Sequence, residues 1–372
     1  RGLGDVYKRQ ISNCQTLENI LELFAMCRLS NWEEPNVDFI PLFETITDLE
    51  NSEEVMRELF NNSIYKNHLA RRKMKQTVML GFSDGTKDGG YFMANWSIYL
   101  AKENLSKLAS EFGIQIAFFD GRGGPPARGG GNTHEFYASM GDTIQSDDIQ
   151  LTVQGQTISS NFGTLDSSQY NLEQLLSSGI ENQIFNPGKN NLSSNEKLLM
   201  ESVAALSYSA YKDSKAHPMF IPYLERMSTL PYYAKANIGS RPTKRGKSTS
   251  LQFEDLRAIP FVGSWSQLKQ NVPGFFGLGI ALQTIIDQGK IDDLKNLYKS
   301  SRFFRTLIFN SMMSLSKSFF KLTAYMKDDN EFGSFWKLIY KEYTLTKKVL
   351  LDISGFESLM PVSYTHLRAH ET

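Results

Sequence analysis

TVMLGFSDGTKDGGYFMANWSIYLAKENLSKLASEFGIQIAFF, Thr77–Phe119, is the stretch that decides the fold class of this 372-residue chain. It opens on TVMLGF (Thr77–Phe82), a short apolar run of the kind found in strands buried on both faces. Asp84-Gly85-Thr86 turns the chain, and the pattern that follows predicts one long helix over Lys87–Phe112. Gly113 comes next, where a helix end favours a left-handed residue. IQIAFF (Ile114–Phe119) is a second buried strand. Strand, helix, strand without a hairpin signal predicts a parallel β/α unit.

Working outward, Val37–Phe43 is an earlier buried strand and Ile149–Val153 a later one. Thr47-Asp48-Leu49-Glu50 offers an N-cap followed by acids, with Val55, Leu59 and Phe60 at helical spacing behind it. Leu17, Ile20, Leu21, Leu23 and Phe24 predict a helix within Ile11–Ser30. After Tyr170 the pattern turns mainly helical, over Asn195–Lys212, Trp265–Gln270, Ile280–Tyr298, Phe303–Met326 and Phe332–Leu350. The reading is a helix-rich α/β chain: an incomplete (β/α) barrel over residues 11–160, then a mainly helical region over 161–360. Arg1–Gln10 (RGLGDVYKRQ) and Pro361–Thr372 (PVSYTHLRAHET) do not continue the patterns beside them, read as adaptor sequence, and are set aside.

Composition excludes several classes. Lys+Arg and Asp+Glu are 40 each, so neither a basic nucleic-acid surface nor an acidic tail describes the whole chain. Cys14 and Cys27 cannot build a disulfide scaffold, and without a nearby histidine they are no zinc site. No apolar run reaches the ~18–20 residues of a membrane span, and none opens the chain as a signal peptide.

The strand ends carry the chemistry. Phe43 is followed by Glu44, Phe82 by Ser83 and Asp84, and Phe119 by Asp120, Gly121 and Arg122. The C-terminal strand ends of a β/α barrel share one face, so Glu44 and Asp84 would meet there, as two carboxylates suited to Mg²⁺. Gly121–Gly131, GRGGPPARGGG, presents backbone N–H groups and two forked guanidinium groups, Arg122 and Arg128, to an anion. It is neither a P-loop nor a dinucleotide fingerprint. A second basic cluster, Gly239–Lys247, contains Arg241 and Arg245 and is followed by Arg257 among apolar neighbours. Together these point to a small polyanion. The rival reading of the glycine-arginine loop is an RNA-binding linker, which neutral charge and alternating strands oppose.

VMLGFSDGTKDGG (Val78–Gly90), FFDGRGGPPARGGG (Phe118–Gly131), GSRPTKR (Gly239–Arg245), LRAIPFVGSWSQ (Leu256–Gln267) and PLFET (Pro41–Thr45) resemble the motifs of phosphoenolpyruvate carboxylase, in that family's order. The resemblance covers Ile11–Met360 and suggests an internal to C-terminal portion of a longer protein. It implies carboxylation of phosphoenolpyruvate by bicarbonate to oxaloacetate and phosphate, through carboxyphosphate and the enolate. It further implies Mg²⁺ or Mn²⁺ as cofactor, a cytoplasmic homotetrameric parent, and no nucleic-acid or membrane partner. Residue by residue, it makes Glu44 and Asp84 metal ligands, Lys87 an active-site lysine, and Arg122 and Arg257 phosphate contacts. Arg128 matches a mobile-loop arginine, Leu42 and Met79 match apolar residues sheltering CO₂, and Arg241 and Arg245 match basic positions near the phosphate.

Three departures stand out. Asp120 replaces the histidine common before the Gly-Arg-Gly-Gly motif. Leu151–Gln156 lacks the two acids of Val-Thr-Glu-Gln-Gly-Glu. The T-A-H-P-T motif with the family's catalytic histidine is absent from the sequence, and Ala216-His217-Pro218 is a lookalike read as a surface or capping histidine. A fragment that only binds phosphoenolpyruvate-like anions is therefore the alternative within the same fold.

Overall fold

The computed structural model describes residues 8–152, 156–185, 188–233, 252–253 and 256–361. Arg241, Arg245 and Val153–Gly155 lie outside the described residues. The chain divides into two compact units, one of residues 1–85, 97–122 and 140–191, the other of residues 86–96, 123–139 and 192–372.

The first unit holds the sheet. Its strands are β1 (Lys8–Ile11), β2 (Asp38–Phe43), β3 (Lys75–Leu80), β4 (Gln115–Asp120) and β5 (Ile149–Leu151). They lie in sequence order and every pairing is parallel. Phe39, Ile40, Val78, Leu80, Ile116, Ala117 and Phe118 are buried, as strands covered on both faces require. The sheet stays open but curls, since the Lys8 ammonium of β1 reaches Gln150 of β5 at 2.5 Å. This is an α/β architecture consistent with an incomplete barrel. Helices α1 (Leu17–Leu29), α2 (Ile46–Asn61) and α3 (Ser63–Arg71) accompany the first strands.

Several expectations are revised. Lys8, Arg9 and Gln10, set aside from the sequence pattern, pair with Asp38, Phe39 and Ile40. Backbone pairing needs no apolar pattern, so the sequence carried no signal for this strand. The N-cap of α2 is Thr45, not Thr47: its hydroxyl takes the Asp48 amide, and the Asp48 carboxylate takes the Thr45 amide at 2.9 Å. The strand expected over Thr77–Phe82 runs over Lys75–Leu80, and Phe82 instead begins α4 (Phe82–Gly89). The single helix expected over Lys87–Phe112 is therefore two, α4 and α5 (Tyr91–Glu111). Gly90 separates them at φ 77°, a left-handed conformation that L side chains adopt only under strain.

The second unit is helical. It contains α6 (Thr133–Ala138) and, beyond α7 (Gln156–Phe162) and α8 (Leu165–Ile180) of the first unit, α9 (Ser194–Ala216), α10 (Phe220–Met227) and α11 (Leu230–Tyr233). It continues with α12 (Ala258–Gln267), α13 (Leu278–Asp287), α14 (Ile291–Ser300), α15 (Arg302–Ser316) and α16 (Gly333–Ser354). The helix expected over Ile280–Tyr298 is split into α13 and α14. That expected over Phe303–Met326 becomes α15 and a 3₁₀ segment, Phe320–Asp328. Phe220, Tyr223, Phe261, Trp265 and Phe335 pack as an aromatic core, with Tyr223 stacked on Trp265 at 6.0 Å. No described helix is long and apolar enough to cross a membrane.

Candidate active site

In the first unit, Glu44 is the residue after β2, and Asp84 lies in the first turn of α4, just beyond β3. Arg122 follows β4 by two residues. The strands are parallel neighbours, so all three residues lie at the same end of the sheet. Glu44 is 7 % exposed and its Oε2 accepts the Asn13 amide at 2.8 Å. Its own amide donates to Asp48 Oδ2 at 3.2 Å, so the helix cap that begins α2 also fixes the backbone of Glu44.

Leu42 and Met79 are register partners on β2 and β3, one residue before the strand ends. Both are half-exposed, unlike the buried residues on either side of each. Together they form a small apolar step next to Glu44. Arg122 is buried at 3 % exposure, with its guanidinium carbon 5.6 Å from the centre of the Phe82 ring. The ring supports one face of the fork, a favourable cation–π arrangement.

Asp120, the residue that replaces the family's histidine, has a partner the sequence reading missed. Lys102 of α5 donates to Asp120 Oδ2 at 2.6 Å, and the two side chains are 3 % and 0 % exposed. Burial pulls the Lys102 ammonium below its ordinary range, and the Asp120 carboxylate pulls back against that. Lys102 stands among Ile98, Tyr99, Ala101 and Leu105, all buried. A lysine at a helical spacing shared with the apolar Ile98, Ala101 and Leu105 was the signal available.

In the second unit, Lys87 of α4 places its ammonium 4.4 Å from the centre of the Phe253 ring. Lys215, at the end of α9, lies 4.7 Å from the same ring and 3.5 Å from Asp88 Oδ1, and it also donates to the Asp88 carbonyl. Phe253 therefore carries two ammonium groups and stands four residues before Arg257, which is the N-cap residue of α12. No pattern in the sequence marked Phe253 or Lys215. His217 is the C-cap of α9 and its Nδ1 accepts the Met219 amide at 3.1 Å, a capping role as read.

Arg128 belongs to a closed turn. The glycine-rich segment forms a 3₁₀ turn over Pro126–Arg128. It is tied by Gly123 N to Arg128 O (3.3 Å), Gly130 N to Pro125 O (3.0 Å) and Gly131 N to Gly124 O (2.9 Å). A Cβ on Gly130 would lie 2.0 Å from the Gly123 carbonyl oxygen, so glycine is what allows the two legs to meet. The glycines serve the loop's own closure, a purpose invisible in composition.

Among the described residues no group of three or more His, Cys, Asp or Glu side chains is arranged to hold a metal. Two carboxylates at one sheet end nonetheless fit an ion such as Mg²⁺, which keeps most of its shell for water and substrate oxygens.

A profile of the family described as phosphoenolpyruvate carboxylase matches residues 4–368. The chain belongs to the phosphoenolpyruvate carboxylase family. It is 33 % identical to the phosphoenolpyruvate carboxylase of Corynebacterium diphtheriae over 385 aligned positions, an alignment that takes in 99 % of this chain. The chain spans 42 % of the length of that curated relative. Family membership agrees with the helix-rich α/β architecture and its open parallel sheet.

Proposed function

We propose that the chain carries a phosphate-, metal- and CO₂-binding portion of a phosphoenolpyruvate carboxylase, a cytoplasmic carboxy-lyase that forms oxaloacetate from phosphoenolpyruvate and bicarbonate. One observation carries this reading: Glu44, Asp84 and Arg122 follow three adjacent parallel strands at one end of the sheet, with the Leu42–Met79 step beside Glu44. Glu44 and Asp84 would hold Mg²⁺ or Mn²⁺. A bound ion supplies positive charge to the oxyanion that develops as the phosphoryl group is transferred.

The chain's own residues have distinct tasks. A bicarbonate oxygen attacks phosphorus, and the enolate oxygen departs with the bonding electron pair. Arg122 would grip phosphoryl oxygens through its planar fork, and the family resemblance carries Arg128, Arg257, Arg241 and Arg245 over as anion-binding positions. Lys87 holds a further anionic oxygen. Carboxyphosphate then releases CO₂ and phosphate, and the enolate carbon bonds the CO₂ carbon. Leu42 and Met79 exclude water around an uncharged molecule that offers little to polar groups.

The second reading, binding without turnover, is favoured by the absence of T-A-H-P-T from the sequence. Loss of a positioned acid–base group costs ~10²–10⁴-fold. The two are separated by titrating the chain with phosphoenolpyruvate and Mg²⁺ in a calorimeter and assaying oxaloacetate with malate dehydrogenase. Binding without bicarbonate-dependent turnover is the expected result. Arg122→Lys, which keeps the charge but loses the fork, should weaken binding by ~10-fold or more. No binding by the parent, or unchanged binding by Arg122→Lys, refutes the site.

A further inference from the structure

Asn310 lies in the middle of α15, is fully buried, and belongs to none of the motifs above. Both ends of its amide are used. Oδ1 accepts the Asn132 amide at 3.1 Å, and Nδ2 donates to the Tyr91 hydroxyl at 2.8 Å. That hydroxyl in turn donates to the Gly130 carbonyl at 3.4 Å. Gly131, at φ 109°, passes so close that a Cβ would meet Asn310 Oδ1 at 2.4 Å. One turn along the helix, Ser314 packs on Gly274, whose added Cβ would lie 3.3 Å from the Ala127 amide in the 3₁₀ turn. Helix α15 thus holds the returning leg of the glycine-rich loop directly and its 3₁₀ turn by way of Gly274.

A buried helix position ordinarily takes an apolar residue, because a polar group there costs free energy unless it is hydrogen-bonded. Among side chains of this size only an amide accepts from a backbone N–H and donates to a phenol at once. Aspartate lacks the donor and leucine lacks both. We propose that Asn310 is a positioning residue. Through Asn132 and Tyr91 it fixes the returning leg of the loop, and through the Gly123–Arg128 closure it fixes where the Arg128 guanidinium stands. The consequence for ligand binding rests on the proposed phosphoenolpyruvate site. The strap itself does not.

The test uses the full chain and three variants, Tyr91→Phe, Asn310→Ala and Asn310→Asp. Phenylglyoxal modification at Arg128 is followed by mass spectrometry, with Arg57 as internal reference. The Arg57 side chain is 42 % exposed and pairs with Glu53 and Glu111. In each variant the Arg128 rate should rise about fivefold or more while the Arg57 rate holds. Phosphoenolpyruvate affinity, measured with Mg²⁺, should fall by a comparable factor. Tyr91→Phe removes one oxygen and keeps the ring, so it decides the matter alone if the Asn310 variants do not fold. An Arg128 rate equal to the parent's in Tyr91→Phe, or a rise shared equally by Arg57, overturns the proposal. A parent that binds no phosphoenolpyruvate refutes the proposed function, while the labelling ratio still decides the strap.

Discussion

Replacing Lys102 by methionine should destabilise the first unit by about 3–5 kcal/mol, because it leaves the Asp120 carboxylate buried without its lysine. The figure follows from the geometry. The pair is 2.6 Å apart, with side chains 3 % and 0 % exposed, so water can replace the missing ammonium only if the structure opens. Surface pairs such as Arg57 with Glu53, about two-fifths exposed, would lose far less under the same change, because water screens them. Methionine keeps the length of the lysine stem and its contact with Phe118, whose ring centre lies 5.3 Å from the ammonium, so lost packing is a minor part of the loss. Equilibrium urea unfolding followed by circular dichroism measures the difference. The companion variant Lys102→Met/Asp120→Leu removes both charges and should recover most of the stability, since a neutral buried pair is often as stable as the ionic one. A single-variant loss below ~1 kcal/mol, or a double variant no more stable than the single, refutes the argument that breaking the buried Lys102–Asp120 pair is the cause.

Two buried groups give opposite pH dependences. Burial pushes the Glu342 carboxyl up to about 7, against backbone amides of Gly277, Gly279 and Ile280 that favour its charged form. The folded state therefore binds the extra proton, and this group's contribution to stability falls as pH rises from about 4.5 to 7, by at most ~3 kcal/mol. Burial lowers His68 to about 4, helped by Arg71 and Arg72, so its contribution is complete above about 6.5 and is lost as pH falls toward 4. Urea titrations across this range should show a rising slope in Glu342→Gln and a falling one in His68→Phe, and parallel curves would refute both assignments. Gly130→Ala should force the loop apart, because its methyl would sit 2.0 Å from a carbonyl oxygen. We expect ~10-fold weaker phosphoenolpyruvate binding with little change in urea midpoint, checked by calorimetry on the folded variant.

The amino-acid sequence determined the strand–helix alternation, because buried strands need continuous apolar runs and Val37–Phe43, Thr77–Phe82 and Ile114–Phe119 are such runs. It also marked Glu44, Asp84 and Arg122, since each lies within three residues of the end of one of those runs. It placed boundaries less well. Phe82 is as apolar as Leu80, and only backbone geometry ended β3 before it and began α4. Tertiary structure alone brought together residues distant in the chain: Lys102 with Asp120, Phe253 with Lys87 and Lys215, and Asn310 with Asn132 and Tyr91. The reason is physical. Apolar periodicity is a property of neighbouring residues and survives in one dimension. A buried polar group is stable only beside a partner, and the partner's identity is fixed by packing between elements that the sequence separates by up to 219 positions.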